Sequence, residues 1–347
     1  MDTTDHDMPA LWCPIAPALH PDWKLWDSNA IHWISRFGID GRKSGTVRLR
    51  GLRAGELAGR TATTAEDQCR AQFSADSLMW LFAFDDACCD EGRHSHDPVT
   101  MAILIADMTR IAETGRAGPA GPLGYALADL RQRLDGMASF AQTARWVRAM
   151  KAYLAYQVWE AAYRNIDAVP TVDQYAVARI RNGSMEVCVM TLDIAEGYEV
   201  PADEIDRPDV RALTEMACDV VGWDNDIASY YKEHKRTGDK LNMIDVMAHE
   251  RQETSQAALS DAVGLRNRVL ALYLQLHDET KPRVSRATVR YLHGLSAWIR
   301  GNLDWSIGTA RYRKHDRPTI QVTAVPPVIP SLPPPPGIAW WWDQVQH

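Results

Sequence analysis

The stretch LFAFDDACCDEG, residues 81–92, joins the end of an apolar segment to a cluster of carboxylates. Leu78, Leu81, Phe82 and Asp85 follow the i, i+3, i+4, i+7 spacing that places side chains on one face of an α-helix. The pattern therefore predicts that Asp85 lies on the apolar face of its helix. Because a charge in apolar surroundings costs free energy unless another group compensates it, this carboxylate needs a partner.

A second polar face occurs in GWDNDIASYYKE, residues 222–233. Asn225, Ser229 and Glu233 are spaced i, i+4, i+8, so an α-helix would present all three on one side. Amide, hydroxyl and carboxylate oxygens suit a hard cation such as Mg²⁺, which commonly takes its other ligands from water and substrate phosphates. The sequence therefore predicts two facing metal-binding walls. On the first wall the candidate ligands are Asp85, Asp86 and Asp90, of which Asp86 and Asp90 are four residues apart and would stack on one face. On the second wall they are Asn225, Ser229 and Glu233.

Helical periodicity dominates the rest of the chain, and alternating β-branched runs between turn residues do not occur, so we expect no sheet. The predicted helices cover residues 22–37, 65–90, 98–114, 123–138, 143–165, 172–197, 202–233, 241–261 and 285–303. From residue 318 the composition becomes Pro-rich and ends in three consecutive tryptophans, which predicts a flexible, extended tail without helix. We therefore predict one all-α domain, residues 1–317, followed by a Pro- and Trp-rich tail, residues 318–347.

Composition and charge exclude several classes of function. The 347 residues include 38 Lys and Arg against 45 Asp and Glu, a net charge of −7, so the chain lacks the basic excess of a nucleic-acid-binding protein. The six cysteines have no CxxC spacing, which argues against a zinc site or a disulfide framework. No apolar run is long enough to span a membrane, and the first residues lack the apolar segment of a signal peptide. We expect a cytoplasmic protein.

These motifs resemble those of the bacterial class I terpene synthases. DDACCD at Asp85–Asp90 is similar to their aspartate-rich motif, and NDIASYYKE at residues 225–233 is similar to their Asn/Ser/Glu metal triad. Arg179 lies 46 residues before Asn225, which is the spacing of the family's diphosphate-sensing arginine. The other matching positions are Asn182 and Gly183 at an expected helix break, and Trp305, Arg311 and Tyr312 near the end of the domain.

The resemblance implies a single class I terpenoid-synthase helical bundle with a central active-site cavity, and a linear prenyl diphosphate as the substrate. Three Mg²⁺ ions between the two metal walls would neutralise the departing diphosphate. The implied roles are diphosphate binding for Arg179, Lys232, Arg311 and Tyr312, triggering of ionisation for Arg179, Asn182 and Gly183, and stabilisation of carbocations by the ring faces of Phe82 and Trp305. Phe84 is left open between such a role and core packing.

Three other interpretations remain open from the sequence. A prenyl chain-elongating synthase shares the fold and metals, although it would need a second aspartate-rich motif in place of the Asn/Ser/Glu triad. HSHD at residues 94–97 could indicate a metal-dependent phosphohydrolase, and the tail could be the partner motif of a helical scaffold protein. We expect farnesyl diphosphate as the substrate, with geranylgeranyl diphosphate as the next candidate, and a homodimer as the candidate assembly. Removal of the tail is expected to leave ionisation intact.

Overall fold

The computed structural model describes residues 8–39, 49–90, 92, 94–118, 121–237, 239–312, 320–329 and 333–345. The side chains of Asp90 and of residues 231–237 lie outside the described part. The expectations placed on the side chains of Asp90, Lys232 and Glu233 therefore fall outside it as well.

The described chain is an all-α bundle, as the sequence predicts, with fourteen α-helices in its described parts. They are α1 (Trp23–Ser35), α2 (Ala54–Thr61), α3 (Gln68–Phe84), α4 (Pro98–Thr114), α5 (Gly121–Met137), α6 (Phe140–Asn165), α7 (Val172–Asn182), α8 (Met185–Val189), α9 (Leu192–Ala195), α10 (Ala202–Ile205), α11 (Pro208–Thr237), α12 (Met243–Arg251), α13 (Ser255–Thr280) and α14 (Arg286–Gly308). The long helix α11 packs against α7, α13 and α14. Within these ranges, every helix is too short or too polar to cross a membrane.

Polar caps and prolines determine where most helices begin. Asp97 accepts hydrogen bonds from two backbone amides at the start of α4, where Pro98 occupies the first turn, and the predicted bounds of this helix are confirmed. Ser139 and Thr171 form capping boxes at the starts of α6 and α7. Pro208 begins α11 and separates it from the short helix α10, whereas the sequence predicted one continuous helix. The helix α2 was not predicted.

The predicted helix over residues 65–90 changes character at its acidic end. Asp67 caps α3, which therefore begins at Gln68, and Asp85–Asp90 form a π-helix. In a π-helix, residues five apart rather than four are joined by hydrogen bonds. Asp86 and Asp90 still lie about one turn apart in such a segment, and since the Asp90 side chain lies outside the described part, their stacking stays a prediction.

The tail is packed against the domain in its described part. Leu11–Trp12 (β1) pairs in parallel with Val322–Thr323 (β2), which forms a small two-stranded sheet that the sequence did not predict. Farther on, Pro336–Gln344 form a 3₁₀-helix in which Ile338 and Trp341 are fully buried. The expectation of a tail without helix was wrong here, because burial of apolar side chains offsets the entropy of ordering the segment. The domain boundary at residue 317 stays a prediction.

A buried ion pair ties α11 to α13 and to the first strand. Arg266 on α13 donates two hydrogen bonds, of 2.7 and 2.9 Å, to the carboxylate of Asp224 on α11, and both side chains are fully buried. Arg266 also donates to the carbonyl of Trp12 in β1. Burial raises the pKa of Asp224, and the adjacent guanidinium opposes that shift. Asp224 directly precedes Asn225 in α11. The Asp224–Arg266 pair therefore holds the outer side of α11, whose inner side is polar.

We predict that Arg266→Met lowers the free energy of unfolding by about 3–5 kcal/mol, because it leaves the Asp224 carboxylate buried without its counter-charge. Urea unfolding followed by circular dichroism would measure this loss. Arg110→Met is the matched control, since Arg110 makes its ion pair with Glu113 at the surface, and it should unfold at nearly the wild-type urea concentration. Equal midpoints for the two variants would contradict the prediction.

Candidate active site

The helices α3, α6, α7, α11 and α14 contribute side chains to one cavity, and the polar part of its surroundings is called the rim below and the apolar part the base. Leu78, Leu81 and Phe82 line it together with Asp85, so the predicted apolar stripe of α3 and the position of Asp85 at its end are confirmed. The other apolar lining residues are Leu57, Tyr153, Met185, Cys188, Leu241, Trp298 and Trp305. A hydrocarbon chain would fit the base of such a cavity, and a charged group would fit the rim.

One side of the rim consists of the first two carboxylates of the π-helix. Nη2 of Arg311 lies 3.3 Å from Oδ2 of Asp85, and Nη1 lies 3.0 Å from Oδ1 of Asp86. The Arg311 side chain is only 7% exposed, and its guanidinium lies 5.2 Å from the centroid of the Phe82 ring. Arg311 therefore provides the counter-charge that the sequence predicted Asp85 to need.

The opposite side of the rim is formed by α7 and α11. Arg179 on α7 donates through Nη2 to Oδ1 of Asn225 at 2.9 Å and lies 2.7 Å from Oδ1 of Asp226. The amide nitrogen of Asn225 donates in turn to the hydroxyl of Tyr312 at 2.6 Å. The adjacent residues Arg311 and Tyr312 thus contact the two sides of the rim, one side each.

Two glycines make room for the Arg179 side chain. The Nη2 group donates to the carbonyl of Gly222 at 3.3 Å, and a Cβ atom on Gly222 would lie 2.9 Å from Cγ of Arg179. A Cβ atom on Gly183 would lie 2.6 Å from Nη1. Both distances are shorter than ordinary carbon contacts, so a larger residue at either position would displace the arginine. Gly222 was not predicted from the sequence, although a glycine inside a long helix is itself a signal of close packing.

The predicted break after Asn182 is confirmed. The helix α7 ends there, and Ser184 takes the left-handed conformation, with φ of 60°, before α8 begins. The side-chain oxygen of Asn182 accepts from Arg179 at 3.2 Å, and its carbonyl accepts from Nε2 of Gln157 on α6 at 2.9 Å. Gln157, which the sequence analysis did not single out, therefore holds the break in place from the neighbouring helix.

Asp226 anchors the polar side of the rim from within the protein. Its carboxylate accepts hydrogen bonds from the hydroxyl of Tyr175 at 2.8 Å and from the backbone amide of Met243 at 3.2 Å, besides the contact with Arg179. Burial raises the pKa of Asp226, and the Arg179 guanidinium is the strongest of the groups that oppose the shift. Asp226 was not among the site residues predicted from the sequence, although its neighbour Asn225 was. Ser229 is buried one turn farther along α11, with its hydroxyl 3.5 Å from the Asp226 carbonyl.

Aromatic rings form one wall of the cavity. Phe82 stacks on Trp305, with ring centroids 5.3 Å apart, and Trp305 meets Tyr312 edge to face at 5.9 Å. The indole nitrogen of Trp305 donates to the Leu52 carbonyl at 2.7 Å, and Trp305 is one of the residues that line the cavity. Phe84 instead packs in the core on Trp80, so the core-packing interpretation holds for that residue.

A third arginine of the cavity was not predicted. Arg164 on α6 donates to the carbonyl of Cys89 in the π-helix at 3.1 Å and to Asp239, beyond α11, at 2.9 Å. It also lies 3.2 Å from Glu160 of its own helix. Arg164 therefore connects the acidic segment to the chain that follows α11. The signal was weak, because Arg164 is one of three arginines in α6 and no sequence pattern distinguishes it.

The structure brings ten of the predicted site residues to one rim or cavity wall. Nine of them line the cavity, and Asp86 adjoins it through Arg311. The nine are Phe82, Asp85, Arg179, Asn182, Gly183, Asn225, Trp305, Arg311 and Tyr312. The HSHD segment does not line this cavity. Asp97 caps α4 and His94 contacts Thr100, so these residues have a structural explanation and the phosphohydrolase interpretation loses its basis.

Comparisons with known proteins agree with this geometry. Residues 76–271 match the family model described as terpene synthase family 2, C-terminal metal binding. The chain is 34% identical to (+)-(1(10)E,4E,6S,7R)-germacradien-6-ol synthase of Streptomyces pratensis, over 96% of each chain. It is 34% identical to (+)-T-muurolol synthase ((2E,6E)-farnesyl diphosphate cyclizing) of Streptomyces clavuligerus, over 97% of this chain and 82% of that one. The crystal structure of the SVS_A2 protein from ancestral sequence reconstruction superposes with a TM-score of 0.86 at 32% identity, covering 97% of this chain and 99% of that one.

We predict that Gly222→Ala does not produce the gain of about 0.5–1 kcal/mol in unfolding free energy that a Gly-to-Ala change inside a helix normally brings. The added methyl group would contact Arg179 and cost about 1–3 kcal/mol through overpacking. Gly136→Ala in α5 is the matched control, because a Cβ atom there meets nothing within 4 Å and should stabilise the protein. The urea midpoints of the two variants measure these changes in stability. A Gly222→Ala variant more stable than wild type would contradict the close packing of Arg179 against Gly222.

Proposed function

The chain belongs to the bacterial class I terpene synthases, and we propose that this terpene cyclase ionises farnesyl diphosphate with the help of Mg²⁺ and cyclises the resulting carbocation. The observation that most supports the proposal is the joint position of Arg179 and the Arg311–Tyr312 pair at the rim of one cavity. Two guanidinium groups on opposite sides suit a polyanionic leaving group, and the apolar base below suits its hydrocarbon chain.

The donor groups at the rim fit magnesium. Asp85 and Asp86 offer carboxylate oxygens on one side, and Asn225 and Ser229 offer amide and hydroxyl oxygens on the other. Nitrogen and sulfur ligands, which would favour zinc or copper, are absent from this proposed set. Asp90 and Glu233 complete the proposed ligands by their place in the two motifs. Three Mg²⁺ ions are proposed, and when bound they would neutralise charge on the departing diphosphate.

The residues of the chain would perform four tasks. Arg179, Arg311, Tyr312 and, from its motif position, Lys232 would donate hydrogen bonds to the diphosphate, and these bonds strengthen as negative charge develops on the leaving group. Together with Arg179, the residues Asn182 and Gly183, at the break held by Gln157, would trigger ionisation of the substrate. The faces of Phe82 and Trp305 would attract the carbocation. Arg311 and Tyr312 would exclude water from the cavity above these two rings.

Cavity lining favours a fifteen-carbon substrate. Tyr153, Met185 and Trp298 contribute large side chains to the walls. Four small residues, Ala83, Ala87, Cys88 and Ser184, would widen a pocket that they lined, and of these four Ser184 lines this cavity. The related (+)-T-muurolol synthase is named as cyclising (2E,6E)-farnesyl diphosphate. Geranylgeranyl diphosphate is the second candidate, and a homodimer and a cytoplasmic location stay predictions.

Incubation with the ten-, fifteen- and twenty-carbon linear diphosphates, each with Mg²⁺ or with EDTA, tests the proposal. Gas chromatography with mass spectrometry should detect a cyclic fifteen-carbon product only with Mg²⁺, and little or none from the other two substrates. A cyclic product from the twenty-carbon substrate alone would correct the chain length. Products formed equally in EDTA would refute the metal-dependent mechanism.

We predict that Arg179→Lys slows turnover at least tenfold, which corresponds to about 1.4 kcal/mol in activation free energy. A guanidinium can donate two parallel hydrogen bonds to phosphate oxygens and still contact α11, whereas an ammonium is a single point charge. Arg181→Lys is the matched control, because Arg181 lies on the same helix, partly exposed and near Glu186. Steady-state release of diphosphate would compare them, and equal rates would show that Arg179 does not bind the leaving group.

A further inference from the structure

The 3₁₀-helix of the tail packs on α7 and α11, the two helices that form the polar side of the rim. The backbone amide of Gly337 in the tail donates to Oδ1 of Asp173 on α7 at 2.6 Å. A Cβ atom on Gly337 would lie 2.4 Å from Cγ2 of Val177, so only glycine permits this approach. The tail therefore contacts α7 through backbone as well as side-chain groups.

Tryptophans provide the contacts with α11. Trp341 is fully buried, and its indole nitrogen donates to Oε2 of Glu215 at 3.0 Å. The guanidinium of Arg211 lies 4.6 Å from the ring centroid of Trp340, and Arg211 also pairs with Glu215 at 3.5 Å. Two residues one turn apart on α11 thus hold two consecutive tryptophans of the tail.

The same two helices meet on their inner side through the site itself. Tyr175 and Arg179 of α7 both bind Asp226 of α11. Asp173 and Val177, which contact the tail, alternate with them along α7. The helix pair is therefore held from outside by the tail and from inside by the hydrogen bonds around Arg179.

A weak point lies between these two sets of contacts. Asp219 falls on the same face of α11 as Glu215, Gly222 and Asp226, and it is completely buried. Neither of its carboxyl oxygens has a hydrogen-bond partner among the described groups, and burial raises its pKa well above the usual range. A buried carboxyl group without partners weakens the packing around it. External contacts from the tail would offset that weakness.

We propose that Pro336–Gln344 is a clamp that sets the position of α7 against α11, with Trp341 as a positioning residue that acts on the active site through Glu215. The inference rests on the proposed function, because its consequence is the placement of Arg179 beside Asn225 and the diphosphate. It also replaces the expectation from sequence that the tail is dispensable for ionisation.

Trp341→Ala tests the clamp, with Trp342→Ala as the matched control. The control removes an indole that stacks on Trp341, with ring centroids 6.4 Å apart, but that contacts the bundle at Arg268 of α13, 4.9 Å away, and leaves the hydrogen bond between Trp341 and Glu215 in place. We expect Trp341→Ala to lower kcat about tenfold or more, with a smaller change in KM, and to raise the share of acyclic products. Trp342→Ala should stay within about twofold of wild type in both.

Circular dichroism of each variant shows whether it is folded at the assay temperature. If Trp341→Ala unfolds, Trp341→Phe decides, because it keeps an aromatic ring in the site and loses the hydrogen bond to Glu215. We expect it to lower kcat about threefold and to shift products in the same direction. A folded Trp341 variant with the kcat and product ratio of Trp342→Ala would overturn the inference.

Binding of Mg²⁺ with inorganic diphosphate gives a readout that does not need turnover. We expect these two additions together to raise the melting temperature of wild type and Trp342→Ala by more than that of Trp341→Ala. Equal shifts in all three would overturn the clamp and leave the proposed function standing. The absence of any shift in wild type would refute the proposed function itself, and the clamp with it.

Discussion

The contact between Arg179 and α11 is the interaction on which the rest of the site depends. The guanidinium lies within hydrogen-bond distance of Asn182, Asn225 and Asp226 at once, and two glycines leave space for it. One side chain therefore relates the helix break at the end of α7 to the polar face of α11. Because Asp226 is buried and also bound by Tyr175, its carboxylate cannot move away without leaving a charge unpaired.

Charge balance explains how an acidic rim can remain stable before a metal binds. Arg311 is nearly buried and lies between Asp85 and Asp86, while Arg179 neutralises Asp226 on the other side. Binding of Mg²⁺ and diphosphate would exchange the partners of Arg311, since the metal can take Asp85 and Asp86 while that guanidinium turns to phosphate oxygens, and Arg179 can donate to phosphate while it stays paired with Asp226. The exchange keeps every charge paired, so its net cost is small compared with burying a new ion. Residues that the substrate needs are thus held near their working positions in advance.

The sequence predicted the parts of the site that follow local periodicity. Asp85 stands on the apolar stripe of α3, and Asn225 and Ser229 occur four residues apart on α11, so helical geometry alone places them. The π-helix could not be predicted, because its extra residue per turn arises from hydrogen bonds and not from an apolar pattern.

Contacts between distant segments were also beyond the sequence. Arg164, Gln157 and Gly222 act across helix pairs, and nothing in their own segments identifies their partners. The tail shows the same limit, because a Pro-rich composition predicts an extended chain while three tryptophans supply enough apolar surface to dock it. Two-residue strands such as β1 and β2 are too short to show alternation.

The most direct test of this account is a crystal structure of the protein with Mg²⁺ and inorganic diphosphate. We expect the diphosphate at the cavity rim, with one or more oxygens within hydrogen-bond distance of Arg179 and of Arg311. Metal ions should be bound by Asp85 on one side and by Asn225 and Ser229 on the other. A diphosphate bound away from both arginines, or metal ions held by residues outside these two walls, would contradict the account.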